Sequence, residues 1–510
     1  MESATEFDAR GGPAPIGRDD SRYTDLTRGC NQRFTSEPDA VYLVTGTAET
    51  VSAVQAGVAA GARIAVRSGG HCQERLVDAP EVGVLIDMSM MRAIEFDAGL
   101  RAFMVEPGVQ LGELYRTLFR RWGVTVPGGS CPSVGVGGHV VGGAYGPLSR
   151  RLGYLVDYLY AVEVVVVDGD GTARAVVATR AADDPNHDLW WAHTGGGGGN
   201  FGVVTRYWLR SPDGAGDDPG DLLPRPPHSV HLRYVAWPWA SLHEEDFLRL
   251  VKNHVRWYER NSHPGSPGLG LYSGLLLPHK SAGGVVLNVQ MDATVPEAEK
   301  VLAEYLDALD EGMGSPGITL QKHHLPWHRA SLWNVMYTSS GLETQRSKIK
   351  AADMRTCYSD EQLSTIHRWL TTDDYDNPAS SLMFIGCGGQ VNTVAPDATA
   401  IPQRSSVLKL VYSTNWTDPA EDDKHLTWIR EWYHEVHKAT GGVPVSDEVT
   451  DGTYINNPDT DLLDPRWNSS GVPWHALYYQ DNYPRLRRIK ARWDPLGVFS
   501  HALSVEPAVV

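Results

Sequence analysis

The 510-residue sequence predicts an α+β protein with two domains. A stretch rich in proline, glycine and aspartate at 211–227, SPDGAGDDPGDLLPRPP, is typical of a linker and divides the chain. Before it, short strands and helices alternate around three glycine-rich segments. After it, strands with β-branched and aromatic residues alternate with amphipathic helices. This second pattern predicts an antiparallel sheet that is backed by helices.

The first region begins with a β–α–β unit. Residues 1–20 are polar and are expected to form a disordered or draped arm. A strand at 41–45 precedes an amphipathic helix, with Thr47 as its N-cap and Gly61 as its stop, and a second strand follows at 64–66. That strand enters a glycine turn and not a GxGxxG helix start. Because no GxxxxGK[ST] occurs either, neither an NAD-binding fold nor a P-loop is favoured.

Hydrophobic periodicity and turn residues also predict the remaining helices and strands. The first region is predicted to contain further strands at 84–88, 103–106, 161–168, 173–178 and 201–209 and helices at 111–122 and 188–191. After the linker, strands are predicted at 229–237, 269–277, 284–292, 382–385 and 407–414, and helices at 247–261, 296–309, 360–371 and 420–440.

Three glycine-rich segments dominate the first two fifths of the chain. The segment 127–146, PGGSCPSVGVGGHVVGGAYG, has eight glycines in twenty residues. Since each glycine costs roughly 0.5–1 kcal/mol inside a helix or strand, the whole segment is predicted to be a loop. The others are IAVRSGGHC at 64–72 and TGGGGGNFGVV at 194–204. One such loop alone is explained as a structural turn, but three together predict a large cofactor held by backbone amides.

Composition excludes several partners. The chain carries 62 acidic and 45 basic residues, a formal charge of −17, which argues against nucleic acid or an anionic membrane surface. The amino terminus lacks the pattern of a signal peptide, and no apolar run approaches a membrane span. We therefore expect a cytoplasmic protein with no membrane partner. Five scattered cysteines argue against a disulfide framework.

The ordered set of motifs resembles the FAD-linked oxidases of the berberine bridge enzyme and glucooligosaccharide oxidase type. It consists of RSGGH at 67–71, Cys131 in its glycine segment, GGGGGNFGVV, and the closing segment 478–505. The resemblance implies a vanillyl-alcohol-oxidase-like FAD-binding domain, and a substrate domain whose sheet roofs the flavin. It divides the chain into 1–215 (FAD-binding), 216–460 (substrate-binding) and 461–510 (return to the FAD-binding domain).

The resemblance also implies a cofactor and its site. FAD would be attached twice, through His71 to the flavin 8α-methyl carbon and through Cys131 to C6. A neutral imidazole and a thiolate are nucleophiles suited to such bonds. The other cofactor-binding residues it implies are Arg67, Ser68, Gly69, Gly70, Gly128, Gly129, Val134, Gly135, Gly137, Gly138, His139, Tyr145, Gly146, Gly199, Asn200, Phe201, Gly202, Val204, Tyr479, Asn482 and Tyr483. Val134 would control oxygen access or simply pack, and His139 would contact the cofactor or serve the fold.

The function implied is oxidation of a C–OH or lactol group. The substrate would be a sugar, a glycoside, or a natural product derived from a polyketide or peptide, with hydride passing to flavin N5 and oxygen reduced to hydrogen peroxide. One alternative is a flavin-dependent oxidative cyclase or desaturase. Another is a flavoprotein whose flavin is structural, without turnover.

At the position of the catalytic base, the sequence departs from the pattern of its relatives. Relatives carry Tyr-x-Asn-Tyr near the domain return, whereas this chain has Tyr454-Ile-Asn-Asn457. Asparagine cannot serve as a base at neutral pH. Cys387 replaces a tyrosine found in some relatives. Tyr454 and Tyr145 are therefore the candidate catalytic residues. No metal site is predicted, because the histidines at 323, 324 and 328 lack a regular ligand spacing and are expected to pack or face solvent.

Overall fold

The computed structural model describes residues 12–331 and 344–508. The strands within these ranges are β1 (Ala40–Leu43), β2 (Arg63–Arg67), β3 (Val82–Asp87), β4 (Ile94–Asp97), β5 (Ala102–Val105), β6 (Leu159–Val167), β7 (Ala173–Thr179), β8 (Val203–Leu209), β9 (Ser229–Pro238), β10 (Leu271–Pro278), β11 (Gly284–Asp292), β12 (Ile318–Pro326), β13 (Arg346–Met354), β14 (Ser380–Gly386) and β15 (Leu408–Trp416). The α-helices are α1 (Tyr23–Leu26), α2 (Thr47–Ala59), α3 (Leu111–Trp122), α4 (Val136–Val141), α5 (Ser149–Leu152), α6 (His187–Ala192), α7 (Glu244–Arg260), α8 (Ala298–Leu309), α9 (Trp327–Ala330), α10 (Asp360–Thr371), α11 (Asp422–Val436), α12 (Trp474–Tyr479) and α13 (Tyr483–Trp493).

Two sheets build the first region. Strand β3 lies between β1 and β2 and is parallel to both, which confirms the predicted β–α–β unit. The second sheet has the order β4-β5-β8-β6-β7, and its β6–β7 pair is the predicted antiparallel hairpin. The predicted N-cap of α2 is wrong by one residue. Gly46 holds that position, and the Thr47 hydroxyl instead donates to the Glu163 carboxylate on β6.

Part of the predicted amino-terminal arm is packed. Residues 1–11 lie outside the described residues. Ile16 exchanges two backbone hydrogen bonds with Val41, of 2.8 and 2.9 Å, and its side chain is buried. Of the two expected alternatives, this part of the arm is therefore draped and not disordered, because Ile16 adds an apolar side chain to the edge of β1.

One seven-stranded antiparallel sheet dominates the second region. Its order is β12-β9-β11-β10-β14-β15-β13, and helices α7, α8, α10 and α11 pack against one face, which confirms the predicted architecture. The core between them contains Leu250, Leu363 and Trp432, all fully buried. Strands β4, β12 and β13 were not predicted from the sequence.

The prediction that 127–146 is entirely loop is wrong. Residues Val136–Val141 form helix α4 in the middle of this segment. The side chains of Val136, Val140 and Val141 are buried in the core of the first region. Their burial offsets the helix cost of the two glycines between them, since a buried valine contributes about 1.5 kcal/mol or more.

The carboxy-terminal helices α12 and α13 return to the first region. Leu477 and Leu486 belong to the same buried cluster as Leu111 and Val164. The buried ammonium of Lys490 donates to Asn200 O in the third glycine segment. Within the described residues, no helix is both long and apolar enough to span a membrane.

Candidate active site

A cavity of about 670 Å³ lies between the glycine segments and the seven-stranded sheet. Its floor and walls come from residues 67–72, 129–146 and 197–204. Side chains of β10, β14 and β15 form the roof, among them Tyr272, Met383 and Val411. The fold therefore brings three segments that are distant in sequence to one cavity.

The first two glycine segments touch each other through their backbones. A Cβ atom on Gly69 would lie 2.3 Å from Gly135 N, and one on Gly135 would lie 2.2 Å from Ser68 Oγ. Neither glycine can carry a side chain without separating the two turns. This close approach brings His71 and Cys131 together in the lining of the cavity.

His71 and Cys131 share one neighbour. His71 Nε2 lies 3.1 Å from Ser133 Oγ, and Cys131 Sγ lies 3.5 Å from the same oxygen. Burial lowers the pKa of His71, so its ring is neutral at physiological pH and keeps a free electron pair. A neutral imidazole and a thiol thus stand side by side in the lining.

His139 supports the turn that carries Cys131. Its Nε2 accepts a hydrogen bond of 3.0 Å from Gly129 N–H, which fixes the turn that precedes Cys131. Burial, followed by the proximity of His71, lowers the pKa of His139 to about 4. The ring therefore stays neutral and remains an acceptor.

A cluster of aromatic rings faces the cavity from the other side. The Tyr454 hydroxyl accepts hydrogen bonds from Ala144 N–H (2.9 Å) and from the Asn456 side-chain amide (3.0 Å). The Tyr145 ring meets the Tyr454 ring edge-on, with 5.6 Å between centroids. Lys409 Nζ lies 4.7 Å from the Tyr454 centroid and 5.0 Å from that of Tyr145. The cluster combines two phenols with one buried cation.

Opposing effects act on the pKa of Tyr454. Burial raises the pKa of its phenol, while the hydrogen bonds from Ala144 and Asn456 oppose the rise. The net effect is a raised pKa. Tyr454 is therefore a protonated phenol in the resting protein, and two N–H donors are already in place for an ionised oxygen.

Asn456 is held firmly in this arrangement. Its amide also donates to His139 O at 2.9 Å. A Cβ atom on Gly142 would lie 2.1 Å from Asn456 Oδ1, so the glycine leaves the space that the asparagine occupies. Asn457, the next residue, lines the cavity. Cys387, by contrast, lies fully buried in the core and does not contribute to the lining.

Most of the predicted site residues line this one cavity. They are Arg67, Ser68, Gly69, Gly70, His71, Gly129, Cys131, Val134, Gly135, Gly137, Gly138, His139, Tyr145, Gly146, Gly199, Asn200, Phe201, Gly202, Val204 and Tyr454.

Four predicted residues lie elsewhere. Gly128 lines a second cavity. Tyr479 donates to Gly196 O at 3.0 Å, so it supports the third glycine segment from outside the cavity. Asn482 donates to Pro396 O at 2.8 Å, and Tyr483 stacks on a histidine ring of α12 at 3.8 Å. These side chains anchor the return segment because α12 and α13 pack behind the glycine segment and not beside the cavity.

Sequence reasoning missed the roof residues and Ser133. The lining strands alternate, so Ser381 and Met383 on β14 and Val411 and Ser413 on β15 point into the cavity. This alternation was visible in the sequence, but which face of the sheet covers the glycine segments was not.

A second, smaller cavity of about 100 Å³ adjoins the first. The two share Gly129, Ser130 and Tyr272 in their linings. The smaller cavity combines apolar side chains, such as Trp327, with amides and a guanidinium on the sheet, such as Gln290 and Arg233. Together the two cavities extend from His71 and Cys131 along the face of the sheet.

The histidine cluster serves this part of the fold. His323 lines the smaller cavity, and His328 stacks on Phe119 at 5.2 Å. Within residues 12–331 and 344–508, no group of three or more metal-ligating side chains is placed to hold an ion.

Comparisons with protein families define the class of the protein. The family model described as an FAD binding domain matches residues 38–175, and the family model described as berberine and berberine like matches residues 453–506. The first match contains the glycine segments at 64–72 and 127–146, and the second contains Tyr454. The chain is an FAD-dependent oxidoreductase.

Relatives along the whole chain identify the family. The chain is 52% identical over 501 residues to aclacinomycin-N/aclacinomycin-A oxidase of Streptomyces galilaeus, covering 98% of this chain and 91% of the relative. It is 51% identical to CrmK, a flavoenzyme of caerulomycin biosynthesis (TM-score 0.95; 97% and 99% covered). It is 48% identical to glycopeptide hexose oxidase DBV29 solved with teicoplanin (TM-score 0.93; 97% and 99% covered). The chain belongs to the berberine bridge enzyme-like family of FAD-linked oxidoreductases.

The residues present fit FAD. Glycine backbone in the cavity lining can approach a flat ring system, and two nucleophilic side chains stand together in the same lining. Arg67, His71 and Cys131 from the first two segments and Asn200 from the third are the side chains that would hold it.

Proposed function

We propose that this enzyme oxidises a C–OH or lactol group of a glycosylated, polyketide-derived or peptide-derived natural product, with molecular oxygen reduced to hydrogen peroxide. FAD, when bound, accepts the hydride at N5 and passes two electrons to oxygen. The observation that carries the proposal is Tyr454, a residue of the cavity lining whose hydroxyl oxygen already accepts hydrogen bonds from two N–H donors. Once ionised, a phenol whose oxygen is held by two N–H donors is suited to take the proton of a substrate hydroxyl.

Lys409 supports this role for Tyr454. Its ammonium lies within cation–π distance of the rings of both Tyr454 and Tyr145 and is buried together with its partner Asp353. The positive charge favours an ionised phenol, while the carboxylate of Asp353 acts in the opposite direction and raises the pKa of Tyr454. Tyr454 is the base in this proposal, and Tyr145 binds the substrate beside it.

His71 and Cys131 form the two covalent bonds to FAD in this proposal. Burial keeps the imidazole neutral, and the contact between the glycine turns places the thiol beside it. Residues 1–215 and 461–510 would form the FAD-binding domain. Residues 216–460 would form the substrate domain, whose sheet supplies the roof of the cavity.

The smaller cavity would receive the part of the substrate that does not react. It joins the main cavity at Ser130 and Tyr272 and offers both aromatic surface and hydrogen-bond donors. Relatives that act in natural-product pathways, such as aclacinomycin oxidase and the glycopeptide hexose oxidase, support a large glycosylated substrate.

Acid precipitation tests the attachment. The wild-type precipitate should stay yellow, and so should those of His71→Ala and Cys131→Ala, because one bond remains in each. The double variant should release its flavin. Complete loss of colour from either single variant would show that two bonds do not form.

Peroxide release tests the reaction. The enzyme should produce hydrogen peroxide with at least one member of a panel of sugars and glycosylated aglycones, and its flavin should be bleached anaerobically by the same compound. A flavin that no member of the panel reduces would favour a structural role for the cofactor.

A further inference from the structure

Ser133 lies outside the lining of the main cavity but touches two residues within it. Its hydroxyl oxygen is 3.1 Å from His71 Nε2 and 3.5 Å from Cys131 Sγ. Within the described residues, these two contacts are the hydrogen bonds of that hydroxyl. A hydroxyl can accept one hydrogen bond and donate another at the same time.

We propose that Ser133 is a positioning residue for covalent attachment of the cofactor, accepting Nε2–H of His71 while donating its own proton to Cys131 Sγ. The proposal rests on the proposed attachment of FAD through His71 and Cys131. It assigns to one side chain the preparation of both nucleophiles.

For His71, the hydrogen bond selects a tautomer. A neutral imidazole has one N–H and one nitrogen with a free electron pair, and the partner of one nitrogen sets the state of the other. When Ser133 accepts from Nε2–H, Nδ1 carries the free pair. Nδ1 is therefore the nitrogen that bonds to the cofactor.

For Cys131, the hydrogen bond stabilises charge. The thiolate is the reactive form of cysteine, and a donated hydrogen bond favours that form over the thiol. The Ser133 hydroxyl can donate to Sγ because its acceptor side is already occupied by His71. The two contacts are thus compatible and reinforce each other.

The formation of each covalent bond is an oxidation, and its atoms and electrons balance when dioxygen is the oxidant. For His71, the imidazole loses its N–H proton, the flavin methyl carbon loses one hydrogen, and an N–C bond forms. For Cys131, the S–H proton and the hydrogen at flavin C6 are lost, and an S–C bond forms. In each case two electrons and two protons leave, and one molecule of dioxygen becomes hydrogen peroxide.

The test measures attachment and not turnover. Full-length Ser133→Ala is prepared in two backgrounds, Cys131→Ala and His71→Ala, so that each bond is followed alone. Purified proteins are incubated with FAD in air, and the flavin retained after acid precipitation is measured with time and normalised to the total bound flavin. We expect both attachment rates to fall about tenfold or more, the scale of losing one hydrogen bond to a charged or reacting partner.

Two further measurements separate positioning from a folding defect. Ser133→Thr keeps the hydroxyl and should restore both rates. In the His71→Ala background, Ser133→Ala should also shift the pH dependence of the Cys131 reaction to higher pH, because the thiolate has lost its donor. A loop that is merely distorted would slow the reaction without moving its pH profile.

The remaining outcomes overturn the proposal. Unchanged rates in Ser133→Ala, a loss confined to one of the two bonds, or a threonine variant that binds FAD but is not restored would each refute the shared role. If wild-type protein retains no flavin after precipitation, the proposed attachment itself has failed, and that result is distinguishable from failure of the role of Ser133.

Discussion

Asp78 offers a test of how burial governs the stability of this protein. Its side chain lines the main cavity, is 5% exposed, and its Oδ1 has no hydrogen-bond partner among the described residues. Burial raises the pKa of Asp78 to about 6 from an ordinary value of 3.8, and the charge of Arg67 offsets only part of the rise. The ionised carboxylate is therefore unfavourable in the folded protein.

The sign and size of the effect follow from proton linkage. Because the folded pKa is raised, the stability associated with the protonated side chain is complete below about pH 4 and is lost as the pH rises through about 6. A shift of about two units corresponds to about 3 kcal/mol at pH 8. Asp78→Asn removes the ionisation and keeps the shape, so it should recover about this amount at pH 8 and little at pH 4.

Thermal unfolding at the two pH values measures the difference. With an unfolding entropy of about 2.1 cal/mol/K per residue, the free energy of unfolding of the full chain falls by about 1 kcal/mol per degree near Tm. Asp78→Asn should therefore raise Tm by about 3 °C at pH 8. The exposed Asp183→Asn is the matched control, and flavin content is kept equal. An Asp78→Asn protein that melts below wild type at pH 8, or whose advantage does not grow between pH 4 and 8, would refute the reasoning.

Three further predictions concern the site and its support. Tyr454→Phe should slow anaerobic flavin reduction at saturating substrate by about a hundredfold or more with flavin content unchanged; an unaltered rate would exclude Tyr454 as the base. Val134→Leu should slow reoxidation of the reduced enzyme in stopped-flow mixing with air-saturated buffer, whereas an unchanged rate leaves Val134 as packing. Lys348→Met should destabilise the protein by about 3–5 kcal/mol in denaturant unfolding, because the buried carboxylates of Glu74 and Asp459 lose a cation that contacts both. A loss below about 1 kcal/mol would contradict that estimate.

The class of protein, its cofactor and the glycine segments that line the cavity could all be predicted from the sequence. Periodicity located most strands and helices, because alternation and helical spacing record which face of each element is buried. Helix α3 and strand β11 match their predicted bounds. Twenty of the predicted site residues line one cavity, because the motifs that carry them are local and the glycine turns permit few other side chains.

Features that depend on residues far apart in the sequence became visible only in the folded structure. Strand β13 escaped prediction because its Lys348 and Lys350 look solvent-exposed in sequence, although Asp459 and Asp461 neutralise them in the interior. Helix α4 forms despite the destabilising effect of its glycines, because its valines are buried in a core to which other segments contribute. The contact of Ser133 with both His71 and Cys131 likewise depends on two turns, 62 residues apart, meeting backbone to backbone. Local propensity records what each segment prefers, but burial, ion pairing and contact between turns depend on residues that only folding brings together.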